Sequence, residues 1–199
     1  MFVIIKSQLS PRAGFEREDV LMKANELMLA EAFRKEAVSG FEKYLPRIVD
    51  CLELLSEEEI WWRPNEASNS AGNLVLHLCG NVRQWIISGL GGEPDTRERD
   101  KEFAERGPIS RRLLIGRLKK TVEEACQTIS RFPAEALSRE FDIQGYRASG
   151  LVAIAHVYEH FAYHTGQIIY LAKLKRGNDL GFTRLPAAKP ARPVAAQRP

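Results

Sequence analysis

Apolar residues recur every three or four positions in four separate stretches of the chain, which is the spacing of amphipathic helices. Ser70, Ser110 and Ser149 stand just before three of these stretches, and serine is a preferred residue type at a helix N-cap. No stretch shows convincing strand alternation. The sequence therefore predicts an all-α protein, a four-helix bundle with long helices over about 20–55, 69–89, 109–131 and 150–175.

Several features interrupt this pattern. Gly40 and Pro46 fall inside the first stretch and predict either a kink or a split into two helices. The segment 89–108 is rich in glycine and charge, and it predicts a long loop between the second and third helices. Residues 141–150 could hold a short extended piece before the last helix.

The two ends of the chain lack helical periodicity. Residues 1–22 read as a ragged N-terminal extension, and either Met1 or Met22 could be the true start. Residues 181–199 are rich in proline, alanine and arginine and have little to bury, which predicts a disordered tail. The folded bundle is expected to span 23–180.

Composition fits one cytoplasmic domain. The chain has 199 residues, 44% hydrophobic and 28% charged, with 29 basic and 26 acidic side chains. Residues 183–199 hold four of the basic side chains and no acid, which leaves 25 basic against 26 acidic residues elsewhere and no basic surface for nucleic acid. The three cysteines are odd in number and scattered, as reduced thiols are. We see no signal peptide and no membrane span.

The four histidines are the sharpest chemical feature of the sequence. His160 and His164 are four residues apart in the last helix, so they project from one face, and His77 on the second helix could complete a three-nitrogen metal site. Such a site suits Zn²⁺ or Ni²⁺ and keeps an open position, as catalytic sites do. The plain alternative for each histidine is a buried imidazole hydrogen-bonded to a neighbour. Cys79 would point to a different side of its helix and is a poor fourth ligand.

Three further residues are candidates to support the ligands from outside. His156 lies one turn before His160 and is a ligand, a supporting partner or a surface residue. Gln167 lies three residues after His164 on the same side, and Asn81 lies one turn after His77.

An open position at the ion must face a cavity. The nearest candidates for the rim of that cavity are the loop 89–108 and the segment 61–70. Arg63, Arg97 and Arg99 in these segments could attract an anionic substrate, although solvated loop charge is the plain alternative.

Three motifs together carry a family resemblance. SNSAGNLVLHLCGNVRQWI, GLGGEPDTRERDKEF and HVYEHFAYHTGQIIY, in this order, resemble an uncharacterised branch of the DinB-like (YfiT-like) superfamily of metal-binding four-helix bundles, over about 24–180. The resemblance implies that His77, His160 and His164 are the metal ligands. Relatives include thiol S-transferases, an isomerase that uses a low-molecular-weight thiol, and members without known activity.

Two classes of function remain open at this stage. The first is a divalent-metal-dependent enzyme, a small-thiol S-transferase or a hydrolase, acting on a small molecule. The second is a non-catalytic bundle in which metal stabilises the fold or a homodimer interface, with Trp61, Trp62 and Trp85 as a partner surface. No nucleic-acid or membrane partner is expected.

Overall fold

Four long helices form the bundle that the sequence predicts. The computed structural model describes residues 11–182, with side chains from residue 19 onward. Helices α1, α3, α5 and α6 are the long ones; α1 packs on α5 and α6, and α3 packs on the same two helices. Short elements connect them. The helices and strands are α1 (Pro11–Leu54), α2 (Glu57–Trp61), α3 (Ala71–Val82), α4 (Arg99–Ala104), α5 (Arg111–Arg131), β1 (Glu140–Ile143), β2 (Tyr146–Ser149) and α6 (Gly150–Arg176).

Helix α1 is continuous through both residues that were expected to interrupt it. Pro46 removes one backbone donor from the helix interior, yet the helix runs on to Leu54. Gly40 serves packing instead: a Cβ there would collide with the ring of Tyr158 on α6. The helix also includes residues 11–22 of the predicted N-terminal extension, whereas residues 1–10 lie outside the described part.

The core lies where α1, α3, α5 and α6 turn their apolar faces inward. Phe41 of α1 and Phe161 of α6 are fully buried, with ring centroids 5.0 Å apart in an edge arrangement. Leu78 of α3 and Leu118 of α5 are fully buried as well. Burial of such apolar side chains is the main force that holds amphipathic helices together.

Helix α3 begins with a capping box and is followed directly by a π-helical segment. The Ser70 side chain accepts a hydrogen bond from the Asn73 backbone, and the Asn73 side chain accepts one from the Ser70 backbone. After Val82 the chain continues as a π-helix over Arg83–Ser88, so the predicted helical span to about residue 89 is confirmed. A π-turn of this kind is frequent beside functional sites.

The predicted long loop between the second and third long helices contains α4. This helix is only six residues long, too short to show a periodic pattern. The predicted extended piece is a two-stranded antiparallel hairpin, with Glu140 opposite Ser149. Within the described residues, no helix is long and apolar enough to cross a membrane. Of the predicted tail, residues 183–199 lie outside the described part.

Candidate metal centre

Three histidines from two helices meet between α3 and α6. Nε2 of His77 lies 3.0 Å from Nε2 of His160, which lies 3.1 Å from Nε2 of His164. One ligand nitrogen from each ring lies within 4.8 Å of the others. Nitrogens that bind one tetrahedral ion at about 2.0–2.1 Å lie roughly 3.3 Å apart. The structure thus brings together the three residues that sequence spacing selected, at a separation that fits one small cation.

Hydrogen bonds on the outer side of two rings set where their protons lie. Nδ1 of His77 is 2.9 Å from Oε2 of Glu102, and Nδ1 of His164 is 2.6 Å from Oε1 of Gln167. Burial alone would raise the pKa of Glu102, but hydrogen bonds from Arg97 and His77 outweigh it and hold that pKa below its usual value. An ionised carboxylate and an amide oxygen only accept hydrogen bonds, so both contacts place the ring proton on Nδ1. Nη2 of Arg97 also lies 3.1 Å from Nδ1 of His77, but it has the closer acceptor Oε2 of Glu102 at 2.9 Å. The Nε2 atoms of His77 and His164 therefore turn lone pairs toward the centre.

His160 faces both of these lone pairs. A proton on its Nε2 could satisfy one of them and would leave the other unpaired. Its own Nδ1 is buried without a hydrogen-bond partner among the described residues. Burial, then the neighbouring imidazoles of His164 and His77, lowers the pKa of His160 to about 3, and burial also lowers the pKa of His164. Neutral imidazoles with converging lone pairs are a donor set that fits Zn²⁺ or Ni²⁺.

Glu102 is held in place by residues of both α3 and the preceding loop. Nδ2 of Asn73 donates to the carbonyl oxygens of Glu102 and Glu105, each at 2.9 Å, and so fastens α4 to α3. Gly80 makes room for the carboxylate, because a Cβ there would collide with Oε1 of Glu102. Arg97 donates from Nε to Oε1 at 2.8 Å and from Nη2 to Oε2 at 2.9 Å. The acid is therefore positioned before any ion binds.

One side of the histidine cluster opens into a cavity of about 450 Å³. His156 lies in the wall of this cavity, with its ring centroid 4.4 Å from Trp85 and 5.7 Å from His160, and burial lowers its pKa. It stands outside the cluster of three. The described residues that line the cavity are His77, Asn81, Trp85, Arg97, Arg99, Gln144, Tyr146, Arg147, Ala148, Val152, His156 and His160.

Comparison with known proteins decides the family. A family model described as "Protein of unknown function (DUF1572)" matches residues 28–189, well over half of the chain. The chain belongs to the DUF1572 family. A search of curated proteins finds no match for it.

Solved structures show that this DUF1572 chain has a DinB-like fold. A conserved protein from Enterococcus faecalis superposes with a TM-score of 0.60 at 16% identity, over 72% of this chain and 97% of that one. A DinB-like protein from Bacillus subtilis gives 0.56 at 21% identity, over 73% and 94%. A DinB-like protein from Bacillus cereus gives 0.58 at 16% identity, over 71% and 91%. The prediction of a DinB-like helical bundle is confirmed.

Of the residues predicted to support the histidine ligands of this DUF1572 chain, Gln167 contacts a ligand and Asn81 does not. Gln167 hydrogen-bonds His164, as its helical spacing suggested. Asn81 lines the cavity but makes no hydrogen bond to a histidine, and its buried Oδ1 has no partner among the described residues. Cys79 is buried in the core, where burial raises the pKa of its thiol to about 12. It does not join the cluster.

Only part of the expected cavity rim lies where the sequence suggested. Arg97 and Arg99 line the cavity, but Arg63 pairs with Glu66 and does not. The segment 64–69 instead borders a separate cavity of about 520 Å³ on the Gln167 side. The hairpin formed by β1 and β2 takes its place on the rim.

The three tryptophans do not form an exposed partner surface. Trp85 is 5% exposed and lies in the cavity wall. Trp61 is half-buried, with its indole nitrogen donating to the carbonyl of Ile109. Trp62 is half-buried beneath the ammonium group of Lys175, which lies 4.3 Å from the ring centroid.

Sequence analysis missed Glu102 and Arg147. Glu102 lies 25 residues after His77 in a segment with several other acids, so no local spacing marks it. Arg147 reaches the cavity only because the hairpin folds back beside α6, and hairpin pairing is a non-local property.

Proposed function

We propose that this protein is a divalent-metal-dependent enzyme that uses a small thiol as its nucleophile, with hydrolysis of a small molecule as the second candidate. The observation that carries the proposal is the convergence of three histidine Nε2 atoms beside an open cavity. Three protein ligands leave a coordination position for a small molecule, whereas structural zinc sites are usually closed by four protein ligands. A Zn²⁺ or Ni²⁺ ion held by His77, His160 and His164 would lower the pKa of a thiol or water molecule beside it.

The lining of the cavity favours a thiol over water. Neither aspartate nor glutamate lines it among the described residues, which leaves His156 as the one side chain outside the ligand set that could take a proton from water. A free thiol has a pKa of about 8.5, whereas the pKa of bulk water is about 15.7. A thiol therefore needs a much smaller decrease in pKa than water does to ionise at neutral pH.

The remaining residues of the site hold the ligands and shape the space. Glu102 and Gln167 keep the His77 and His164 rings turned with Nε2 inward. The cavity of about 450 Å³ has room for a small electrophile beside the nucleophile. His156 faces the cavity and not the centre of the cluster. A substrate bound in the cavity would therefore contact the His156 ring.

Elemental analysis followed by a two-part activity screen tests the proposal. Freshly purified protein should contain about one Zn or Ni per chain, and metal-loaded protein should conjugate a model electrophile to a small thiol. Chelation and His164→Ala should abolish that reaction, while Arg112→Ala on the outside of α5 should not. Turnover of ester or phosphoester substrates without thiol conjugation would move the assignment to a hydrolase. A lower melting temperature on chelation, without any turnover, would show a structural metal and overturn the enzyme proposal.

A further inference from the structure

The cavity beside the histidine cluster is lined by positive charge. Three arginines and no acid line it among the described residues. Arg97 forms an ion pair with the buried Glu102 and is therefore already paired. Arg99 has no carboxylate within ion-pair distance among the described residues, and its guanidinium lies 4.9 Å from the ring centroid of Phe103. Arg147 pairs with Glu140 on the neighbouring strand, and its side chain is 73% exposed, so it is free to turn toward a ligand.

Arg99 lies over a phenylalanine ring that contacts the metal centre. The Phe103 ring that it covers lies 4.7 Å from the ring of His77. A guanidinium held over an aromatic face keeps its hydrogen-bond donors available at the edge. The exposed Arg99 therefore presents its guanidinium edge beside the cluster.

Another part of the cavity lining is aromatic and apolar. Trp85 and Tyr146 stack with ring centroids 6.4 Å apart and an angle of 27° between their planes. The indole nitrogen of Trp85 donates to Oε1 of Gln144 at 3.1 Å, which fixes the ring. Ala148 and Val152 add apolar surface. A ligand that fits this cavity has a polar anionic end and an apolar or aromatic body.

From this arrangement we infer that the substrate of the proposed reaction is a small organic anion. Its carboxylate or phosphate group is bound by Arg99 and Arg147, and its body lies against Trp85 and Tyr146. The inference rests on the proposed function, since it names the substrate class for the same site. Charge-assisted hydrogen bonds from arginine to an oxyanion are among the strongest contacts that a polar site can offer.

Equilibrium binding of three matched probes to metal-loaded protein tests the inference. Phenylacetate and phenylphosphate carry an anion on an aromatic body, and phenylacetamide has the same body without the charge. We expect both anions, or one of them, to bind at least tenfold more tightly than the amide by titration calorimetry. The binding should quench Trp85 fluorescence, and Trp85→Phe should remove that signal.

Arginine variants separate the proposed subsite from direct binding to the ion. Arg99→Ala combined with Arg147→Ala should weaken anion binding at least tenfold and leave metal content and amide binding unchanged. Arg112→Ala, an exposed arginine on α5 outside the cavity, should leave all three unchanged. Anion binding that survives the double substitution, or wild-type protein that does not prefer anions to the amide, would overturn the inference. These outcomes require no turnover, so an inactive protein that binds anions through the arginines would overturn only the proposed reaction.

Discussion

Replacing Glu102 by leucine tests how the histidine cluster is supported, because this acid holds both the His77 ring and the Arg97 guanidinium. The side chains of Glu102 and Arg97 are 10% and 4% exposed. Removal of one partner from a buried ion pair costs about 3–5 kcal/mol, since the other charge stays buried without compensation. Against a total stability of about 5–15 kcal/mol for an ordinary domain, Glu102→Leu should cause a large loss, measurable by urea unfolding of the metal-free protein.

The same substitution should weaken metal binding by a separate route. Nδ1 of His77 would lose its acceptor, and its proton and ring orientation would no longer be fixed. Loss of such an outer partner typically lowers metal affinity about 10–100-fold, which corresponds to about 1.4–2.7 kcal/mol. Competition for zinc with a chromophoric indicator measures this effect. Glu98→Leu on the exposed side of the same segment is the matched control and should change neither quantity.

The double variant Arg97→Met/Glu102→Leu separates the two effects. It removes both buried charges, and replacement of a buried ion pair by apolar side chains of similar size is often neutral. We expect most of the lost stability of the metal-free protein to return, with a remaining deficit of about 1–3 kcal/mol because the buried Nδ1 of His77 stays without an acceptor. Metal affinity should stay about 10–100-fold weak because His77 still lacks its acceptor. A double variant that regained full metal affinity would refute the reasoning, because affinity would then follow stability and not the orientation of the ring.

Three further predictions address the cluster and the surface. His156→Ala should leave metal content nearly intact in elemental analysis, whereas His160→Ala should sharply reduce it; equal losses would mean that the ligands are wrongly assigned. The pKa of His160 is lowered to about 3, whereas the pKa of a histidine in the unfolded chain is about 6.5. The unfolded chain therefore binds more protons between these values, and the stability of metal-free protein should fall as pH drops through this window, less steeply in His160→Gln. Met28 and Leu29 on α1 are 70% and 71% exposed, and such apolar surface marks contacts. We expect a homodimer by light scattering that Met28→Glu dissociates, and a monomeric wild-type protein would contradict this.

The sequence predicted the parts of the fold and site that depend on local spacing. The buried face of each helix is predicted by apolar residues spaced three or four positions apart. His160 and His164 are predicted to share one helix face because they are separated by about one turn. Gln167 follows for the same reason, because its partner lies three residues away on the same helix. His77 was predicted as the isolated histidine on the second helix, and the family resemblance also implied that it is the third ligand.

Features that depend on distant parts of the chain could not be predicted in this way. Glu102 acts on His77 only because Asn73 fastens α4 to α3 and Gly80 leaves space for the carboxylate. Arg147 joins the cavity through strand pairing. Helix α1 continues through Pro46 because its packing on α5 and α6 outweighs the local cost of a missing donor. In each case tertiary packing decides the outcome, and no local pattern records it.

Anomalous X-ray diffraction from metal-loaded crystals, recorded at the zinc and nickel absorption edges, tests the central claim most directly. The account predicts one anomalous peak per chain, about 2.0–2.1 Å from Nε2 of His77, His160 and His164, with its remaining coordination position facing the cavity that Arg99 and Arg147 line. A peak elsewhere, or an ion enclosed by four protein ligands, would contradict it.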